Sequence, residues 1–572
     1  MKKLERNRIV FFALIAAWFV INFVQAAVTL AYEDEGYYEV YAQNLDWGYY
    51  DHPPMVALMI AAGHLFLGGT IGMRLFAVIL STLSCVVIWK LIGDKNADRN
   101  GILLFFILIG SLVMFNIYGF IVVPDSPLIF FSSLFLLAYK NYLDKPSWRS
   151  SLLMAFLAAA MLYSKYHAIV LLGLVVLSNL KMLKDIKIWT SFIVTLLLFT
   201  PHLLWQFDHD FPSFKYHLYQ RSVDFSYTYP LEYIPFQLLV FGPTTFGALI
   251  YVLIKRKPVD AFEKTLYFIT IGFIGFFWIM TCRGHAEPHW TVVCVIPVVI
   301  LIYRHCLQDK KLIIFVRRFI FPVVVIVLIM RILLCCTNAF EFIGFWKKQL
   351  YYGIEKVAEG RPVIFRARFQ DPSLYMHYTG GEAATIECYD SHKTQYDLWA
   401  FDTLMLGREV FVRIKIDSLS PSQSNDYEFD GEKFSGFITK NFQSANRIAI
   451  TTTPLYQYGQ IFHKGDTVFA NILIHNQLST PIDFHHEDLP IEVKAMFKDD
   501  EDKFDIVVDG FYDDIDTLRG YETIERRFYA LVPDTSILWN RHKTFAVVTY
   551  DRMSIYNRTQ EYFEINLDEK NK

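Results

Sequence analysis

The chain has 572 residues, of which 54% are hydrophobic and only 19% charged, and its 51 Phe and 34 Tyr help bring aromatics to 17%. An ordinary soluble protein carries about 25% charged residues, so this composition points to a membrane protein. A formal net charge of -3 with no clustered basic stretch argues against nucleic acid as a partner.

The opening segment MKKLERNRIVFFALIAAWFVINFVQAAVTLAY is basic and then apolar for about 22 residues, too long for a cleavable signal and long enough for a retained first helix. Further apolar runs follow at about 71–92, 101–121, 127–143, 150–164, 166–180, 187–206, 236–254, 265–282, 290–304 and 319–337, which with 9–30 makes about eleven expected spans. With a cytoplasmic N-terminus, the inside segments MKKLERNR, KLIGDKNADRN, KNYLDKPSWR, KMLKDIK, KRKPVDAFEK and RHCLQDKKLIIFVRR are all rich in Lys and Arg. The outside segments 31–54, VVPDSP and GHAEPHW have none, and 207–235 has only Lys215 and Arg221. An odd number of spans places everything beyond about residue 338 outside. The fold expected is a polytopic α-helical membrane domain over 1–337, an extracytoplasmic α/β unit over 338–450 and a β-sandwich of immunoglobulin-like kind over 451–572. The last assignment rests on alternating segments such as DTVFANILIHN, LPIEVKAMF and KTFAVVTYD with turn signals between them. Six of seven cysteines lie in or beside apolar runs, with Cys388 the exception, so no disulfide framework is expected.

AYEDEGYYEVYAQNLDWGYYDHPP, residues 31–54, holds six carboxylates (Glu33, Asp34, Glu35, Glu39, Asp46, Asp51) and no Lys or Arg. Acids without a counter-charge repel one another, so at least one is expected to titrate high, as a general base requires. The closing DHPP stiffens the loop and holds Asp51 and His52 at the membrane surface. Asp125 sits between two prolines in VVPDSPLIFF, Lys165, Tyr166 and His167 interrupt the apolar LYSKYHAIVL, and Arg283, His285, Glu287 and His289 crowd RGHAEPHW. Ionisable groups at membrane depth are costly and therefore mark candidate function. Lys165, flanked by apolar residues, must reach an anion or water. His285 and His289 are four residues apart, but Pro288 between them argues against the helix that a zinc site of that spacing needs, and no metal is assigned there. Nucleotide and serine-hydrolase motifs are absent.

In this order, DEGYYEVYAQNLDWGYYDHPP, PDSPL, LYSKYHAIVL, TPHLLWQFDHDFPSFKYHLYQR and GHAEPHW resemble the GT-C glycosyltransferases that use polyprenyl-phosphate sugars. The likeness is to bacterial members related to dolichyl-phosphate-mannose protein mannosyltransferases and the lipid A aminoarabinose transferase, and covers about residues 1–410. It implies that Asp34 is the general base on an acceptor hydroxyl in an inverting transfer, with Glu35 its motif partner. Donor-phosphate contacts fall to Lys165, Arg221, Arg283, His52 and His289, and orienting roles to Glu33, Asp51, Asp125 and Tyr166. No cofactor is obligatory, although the acidic triplet could hold a divalent cation. The implied partners are a polyprenyl-phosphate sugar carrying a mannose-like hexose or an aminosugar, a lipid, glycan or protein acceptor, and the bilayer. The implied place is the bacterial inner membrane, with the C-terminal part periplasmic. The alternative from another class is a transporter or flippase of lipid-linked sugars, against which stand the lack of an inverted repeat, the clustering of the charges on one face and the large outer domain.

Overall fold

The computed structural model describes residues 2–94, 97–220, 226–336, 348–366, 368–386, 393–414, 425–457, 460–499, 505–533, 543–551, 555–556 and 563–567. Two compact units divide the chain, residues 1–347 and 348–572.

The first unit is helical. After α1 (Lys2–Val28) come α2 (Glu33–Gln43), α3 (Met55–His64), α4 (Gly69–Ile92), α5 (Arg99–Ser111), α6 (Val113–Ile117), α7 (Asp125–Asp144), α8 (Trp148–Ser164), α9 (Ala168–Ser178) and α10 (Ile186–Asp208). A short α11 (Pro212–Lys215) leads on to α12 (Thr228–Phe241), α13 (Pro243–Lys255), α14 (Ala261–Met280), α15 (Val295–Cys306), α16 (Lys310–Phe315) and α17 (Phe321–Cys336). Among the described residues six helical stretches are long and apolar enough to cross a membrane, and a seventh if α12 and α13 count as one span. The other expected runs are helical but shorter or less apolar. The run at 101–121 breaks at Leu112, whose extended backbone separates α5 from α6. The run at 236–254 bends by 105° between α12 and α13, where Gly242 takes a φ of 81° and Pro243 starts the next helix.

The helices that leave the basic segments share a device. Asp98, Ser147, Asp185, Asp260 and Asp309 each accept a hydrogen bond from a first-turn N–H. These caps satisfy donors that a helix entering an apolar layer cannot leave bare.

The turn between α3 and α4 sets the depth of the residues below the first loop. A Cβ on Gly72 would lie 1.8 Å from the Leu67 carbonyl oxygen, and one on Gly63 would lie 2.1 Å from that of Gly72. Only glycine lets the two helices meet this closely.

In the second unit, β1 (Val363–Phe365), β2 (Ala383–Thr385), β3 (Val410–Ile414), β4 (Asn425–Phe429) and β5 (Glu432–Thr439) form a five-stranded sheet in the order β2-β1-β3-β5-β4. β1 runs parallel to β2 and β3, and the remaining pairs are antiparallel. β6 (Ile448–Pro454), β7 (Ile461–Phe462), β8 (Thr467–Asn476), β9 (Ile482–Asp483), β10 (Ile491–Asp499), β11 (Asp505–Phe511), β12 (Thr517–Leu518), β13 (Thr523–Leu531), β14 (Lys543–Asp551), β15 (Ile555–Tyr556) and β16 (Phe563–Leu567) complete it. Along the path β6-β8-β13-β11-β10-β14-β16-β7, the join of β11 to β13 is short, residues 510–511 against 529–530. The alternation read from the sequence is present: Val468, Ala470, Ile472 and Ile474 of β8 point inward and Phe469 and Leu473 outward. One hydrophobic core runs from Ile364 and Val412 of the first sheet to Phe528 and Val547 of the second, so the two sheets share an interior.

Replacing Gly72 by Ala is expected to destabilise the protein by about 1–3 kcal/mol through overpacking. The check is a fall in the thermal unfolding midpoint in detergent, with Gly173→Ala, where an added Cβ meets nothing within 4 Å, as the control that does not lower it.

Candidate active site

The acidic stretch is not a free loop. Tyr32 caps α2 with an extended backbone, and Glu33, Asp34 and Glu35 fill the first turn of that helix. There the exposed N–H groups and the helix dipole offset part of their mutual repulsion.

Glu35 is fully buried and faces Arg74 of α4, itself fully buried. Arg74 Nε donates to Glu35 Oε1 at 2.8 Å, and Nη2 to Oε2 at 2.5 Å. Its remaining N–H groups go to the carbonyls of Ala26 (3.0 Å), Thr29 (2.9 Å) and Leu30 (2.7 Å) at the frayed end of α1. Glu35 also accepts from the N–H of Val122 at 2.7 Å and of Tyr32 at 2.8 Å. All five guanidinium donors and both carboxylate oxygens are therefore used. Glu35 has nothing left for a divalent ion, so the acidic triplet does not fit the cation that the resemblance allowed. Among the described residues no group of three or more His, Cys, Asp or Glu side chains is placed to hold a metal.

Histidines or a hydrogen-bond donor also reach three of the other acids. Glu39 lies 2.8 Å from His64 Nε2, and Asp46 accepts from Trp205 Nε1 at 2.7 Å. Asp51 accepts from the Tyr41 hydroxyl at 2.6 Å and lies 3.2 Å from His52 Nδ1. Burial alone would raise Asp51, but the charge of His52, that hydrogen bond and His217 take it well below the usual carboxylate range. The sequence reading expected uncompensated acids, one of them titrating high. Asp51 moves the other way, because the compensating groups come from the end of the loop and from other helices.

Asp34 is half-buried beside this framework. Burial and then the charges of Asp34, Asp51 and Asp125 push the Tyr38 phenol well above its usual value. Burial, Asp34, Glu33 and Glu287 do the same to Tyr32. Asp34 thus acts on both tyrosines, Asp51 and Asp125 on Tyr38, and Glu287 on Tyr32.

The partner of Lys165 is Asp125. Lys165 ends α8 in extended backbone, and its Nζ lies 2.6 Å from Asp125 Oδ2 in a pair that is almost wholly buried. The other Asp125 oxygen is buried without a hydrogen-bond partner among the described residues. Tyr166 shares a network with His202 Nε2 (3.0 Å) and the Gln206 amide (3.2 Å). His202 Nδ1 lies 2.7 Å from the Trp47 carbonyl, which ties α10 to the first loop. His217 Nε2 approaches the Asp51 carbonyl at 2.9 Å. Arg283 is exposed and donates to the Leu218 carbonyl, His285 pairs with Glu287 at 3.4 Å, and the His289 ring meets Tyr118 edge-on at 6.5 Å. Arg221 lies outside the described residues.

Arg74, His202 and His217 were not among the residues expected from the sequence. Arg74 carried the same signal as Lys165, a charge inside the apolar run 71–92. His202 lay unremarked in a segment chosen for its likeness to known enzymes.

Residues 51–205 match the family model described as dolichyl-phosphate-mannose-protein mannosyltransferase, a segment that includes His52, Asp125 and Lys165 and leaves Asp34 outside. Lipid A galacturonosyltransferase RgtD of Rhizobium johnstonii is 22% identical over 285 residues, which is 47% of this chain and 59% of that relative, so its length is spanned only in part. ArnT from Cupriavidus metallidurans in the apo state superposes with a TM-score of 0.55 at 15% identity, over 75% of this chain and 97% of ArnT. The structure of the same protein bound to undecaprenyl phosphate gives 0.54 at 14% identity over the same shares.

Removing one partner of the Glu35–Arg74 pair leaves a buried charge. Arg74→Met is therefore expected to cost about 3–5 kcal/mol, read as loss of folded protein or a large drop in unfolding midpoint. Because the folded-state pKa of Asp51 is depressed, its contribution is complete above the ordinary value of 3.8 and disappears as pH falls below that. The unfolding midpoint of Asp51→Asn should accordingly fall short of the parent at pH 7 and approach it in acid. Matched segment and shared architecture agree: residues 51–205 match the mannosyltransferase model, and the chain has the fold seen in ArnT.

Proposed function

We propose that this protein is an inverting membrane glycosyltransferase that moves a sugar, a mannose-like hexose or an aminosugar, from polyprenyl phosphate to an envelope acceptor hydroxyl. The observation that carries the reading is the contrast within one helical turn. Glu35 is buried and saturated by Arg74, while Asp34 beside it is half-buried in the same first turn of α2.

In the proposed reaction Asp34 accepts the proton of the acceptor hydroxyl. The acceptor oxygen then attacks the anomeric carbon from the side opposite the phosphate, and polyprenyl phosphate leaves as an anion. Glu35 does not exchange protons in this scheme; it holds Asp34 in place. Lys165 is kept as a donor-phosphate residue in concert with Asp125, whose unpartnered oxygen suits a sugar hydroxyl or a rearranged Lys165. His52, Arg283 and His289 are the further cations proposed for that phosphate, with Arg221 added from the sequence alone. Glu33, Asp51 and Tyr166 shape the loop. Undecaprenyl phosphate bound to ArnT and the lipid A substrate named for RgtD support this donor and a glycolipid acceptor. With eleven spans and a cytoplasmic N-terminus, Asp34 and the second unit would share the outer face of the inner membrane. No obligatory cofactor enters the scheme.

The test is sugar transfer in proteoliposomes supplied with undecaprenyl-phosphate sugar. Asp34→Asn is expected to lower the rate by about 10²–10⁴-fold at equal protein level, and a wild-type rate would refute Asp34 as base. If the unmutated protein releases no polyprenyl phosphate with any sugar or acceptor offered, the transferase reading itself fails. Lys165→Met is expected to raise the donor KM more than it lowers kcat, as loss of ground-state phosphate binding does.

A further inference from the structure

The second unit carries an outward row of aromatic rings that the proposed transfer does not use. Phe469 of β8, Tyr529 of β13 and Phe511 of β11 are direct cross-strand partners, Tyr529 opposite Phe469 and Phe511 opposite Tyr529. Phe511 and Tyr529 stack at 4.9 Å with 14° between their planes, and Tyr529 and Phe469 follow at 5.9 Å. The three rings are 49%, 41% and 43% exposed for Phe469, Tyr529 and Phe511. Cross-strand aromatic pairs add some stability to a sheet, and Phe511 and Tyr529 cover part of one face of each other, but much of the surface of all three rings is still turned to water.

The next strand changes chemistry. Lys494 of β10 faces Asp509 of β11 in register, and its ammonium bridges Glu492 (2.8 Å) and Asp509 (3.1 Å). Together with Asp513, Asp514 and Arg527, these residues and the rings line one open cleft of about 1010 Å³. Its wall is thus half aromatic platform and half fixed polar groups, with four carboxylates against two cations.

We propose that this cleft binds a neutral or amino-substituted glycan. The C–H faces of pyranose rings lie flat on exposed aromatic rings, and their hydroxyls need the dense donors and acceptors supplied at the edge. A row of rings across three strands, about 4.8 Å apart, offers a continuous track for consecutive sugar units. The excess of carboxylates disfavours uronic acids and anionic lipid surfaces, and favours ammonium groups on the sugar. The same excess of polar groups disfavours an apolar protein interface at this face.

The experiment uses the full-length protein in nanodiscs, titrated with three defined tetrasaccharide probes: neutral hexose, amino-hexose and uronate. Binding of the neutral or amino probe, at least about tenfold tighter than the uronate, is the expected result. Tyr529→Ala should weaken it by about tenfold or more in protein that remains folded, its unfolding midpoint lowered only by the loss of the two cross-strand ring pairs. Leu473→Ala, on the same outward face but away from the cleft, should leave it unchanged. Absence of binding by all three probes, preference for the uronate, or equal binding by Tyr529→Ala would each overturn the proposal. So would Tyr529→Ala altering the oligomeric state while glycan binding persists, since the face would then be a protein interface. Asp34→Asn should bind the glycan normally, so failure of the transferase reading and failure of this one are separable.

Discussion

The buried pair of Glu35 and Arg74 is the constraint on which the outer end of the helical unit depends. One guanidinium gathers the last carbonyls of α1, the first turn of α2 and, through Glu35, the backbone at Val122. Desolvating two charges is expensive, and the pair is tolerable because every donor and acceptor it offers is matched. A lysine has neither the fork nor the number of donors for this task. The consequence is rigidity at one position: Asp34 sits on a turn whose next residue cannot move.

A second buried arginine steadies the same region from the other side. Arg331 of α17 donates to Gln25 and, at 2.8 Å, to Asn22 of α1, and at 3.2 Å to Asn116 of α6. Its guanidinium also lies 5.3 Å from the centre of the Phe120 ring. Asn116 in turn donates its side-chain amide to the Gly110 and Leu112 carbonyls at the break between α5 and α6. The segment from Asn116 to Asp125 is thereby gripped at both ends, by Arg331 near its start and by Glu35 and Lys165 near its end. Loops that must present groups to a substrate at a membrane surface need such anchorage, since no water is available inside to satisfy their backbone.

The helical character of the long apolar runs and the strands of the C-terminal part were legible in the chain. Long apolar runs have few alternatives to helices in lipid, and Lys and Arg counts of the connecting segments are independent of how those helices pack. Period-two alternation in β8 likewise marks one buried face, whereas β14 is buried on both faces from Phe545 to Thr549. The breaks were less visible. Leu112 and Gly242 interrupt apolar runs whose hydropathy is continuous, because hydropathy does not register where a backbone turns.

What the sequence by itself determined, then, is a helical, membrane-type chain and where its unusual ionisable groups fall: the acidic turn at 33–35, the stiff DHPP, Asp125 between prolines and Lys165 in an apolar setting. What only the tertiary structure decided is which of these groups compensate one another. Glu35 and Asp34 are adjacent in the chain and equivalent in composition. They differ because one points at Arg74, 39 positions away, and the other does not. Lys165 read as a cation in need of an anion, and it has Asp125, 40 positions earlier. Charge compensation at low dielectric depends on distances of a few ångströms between residues far apart in sequence, and those distances are set by helix packing, which local pattern does not encode.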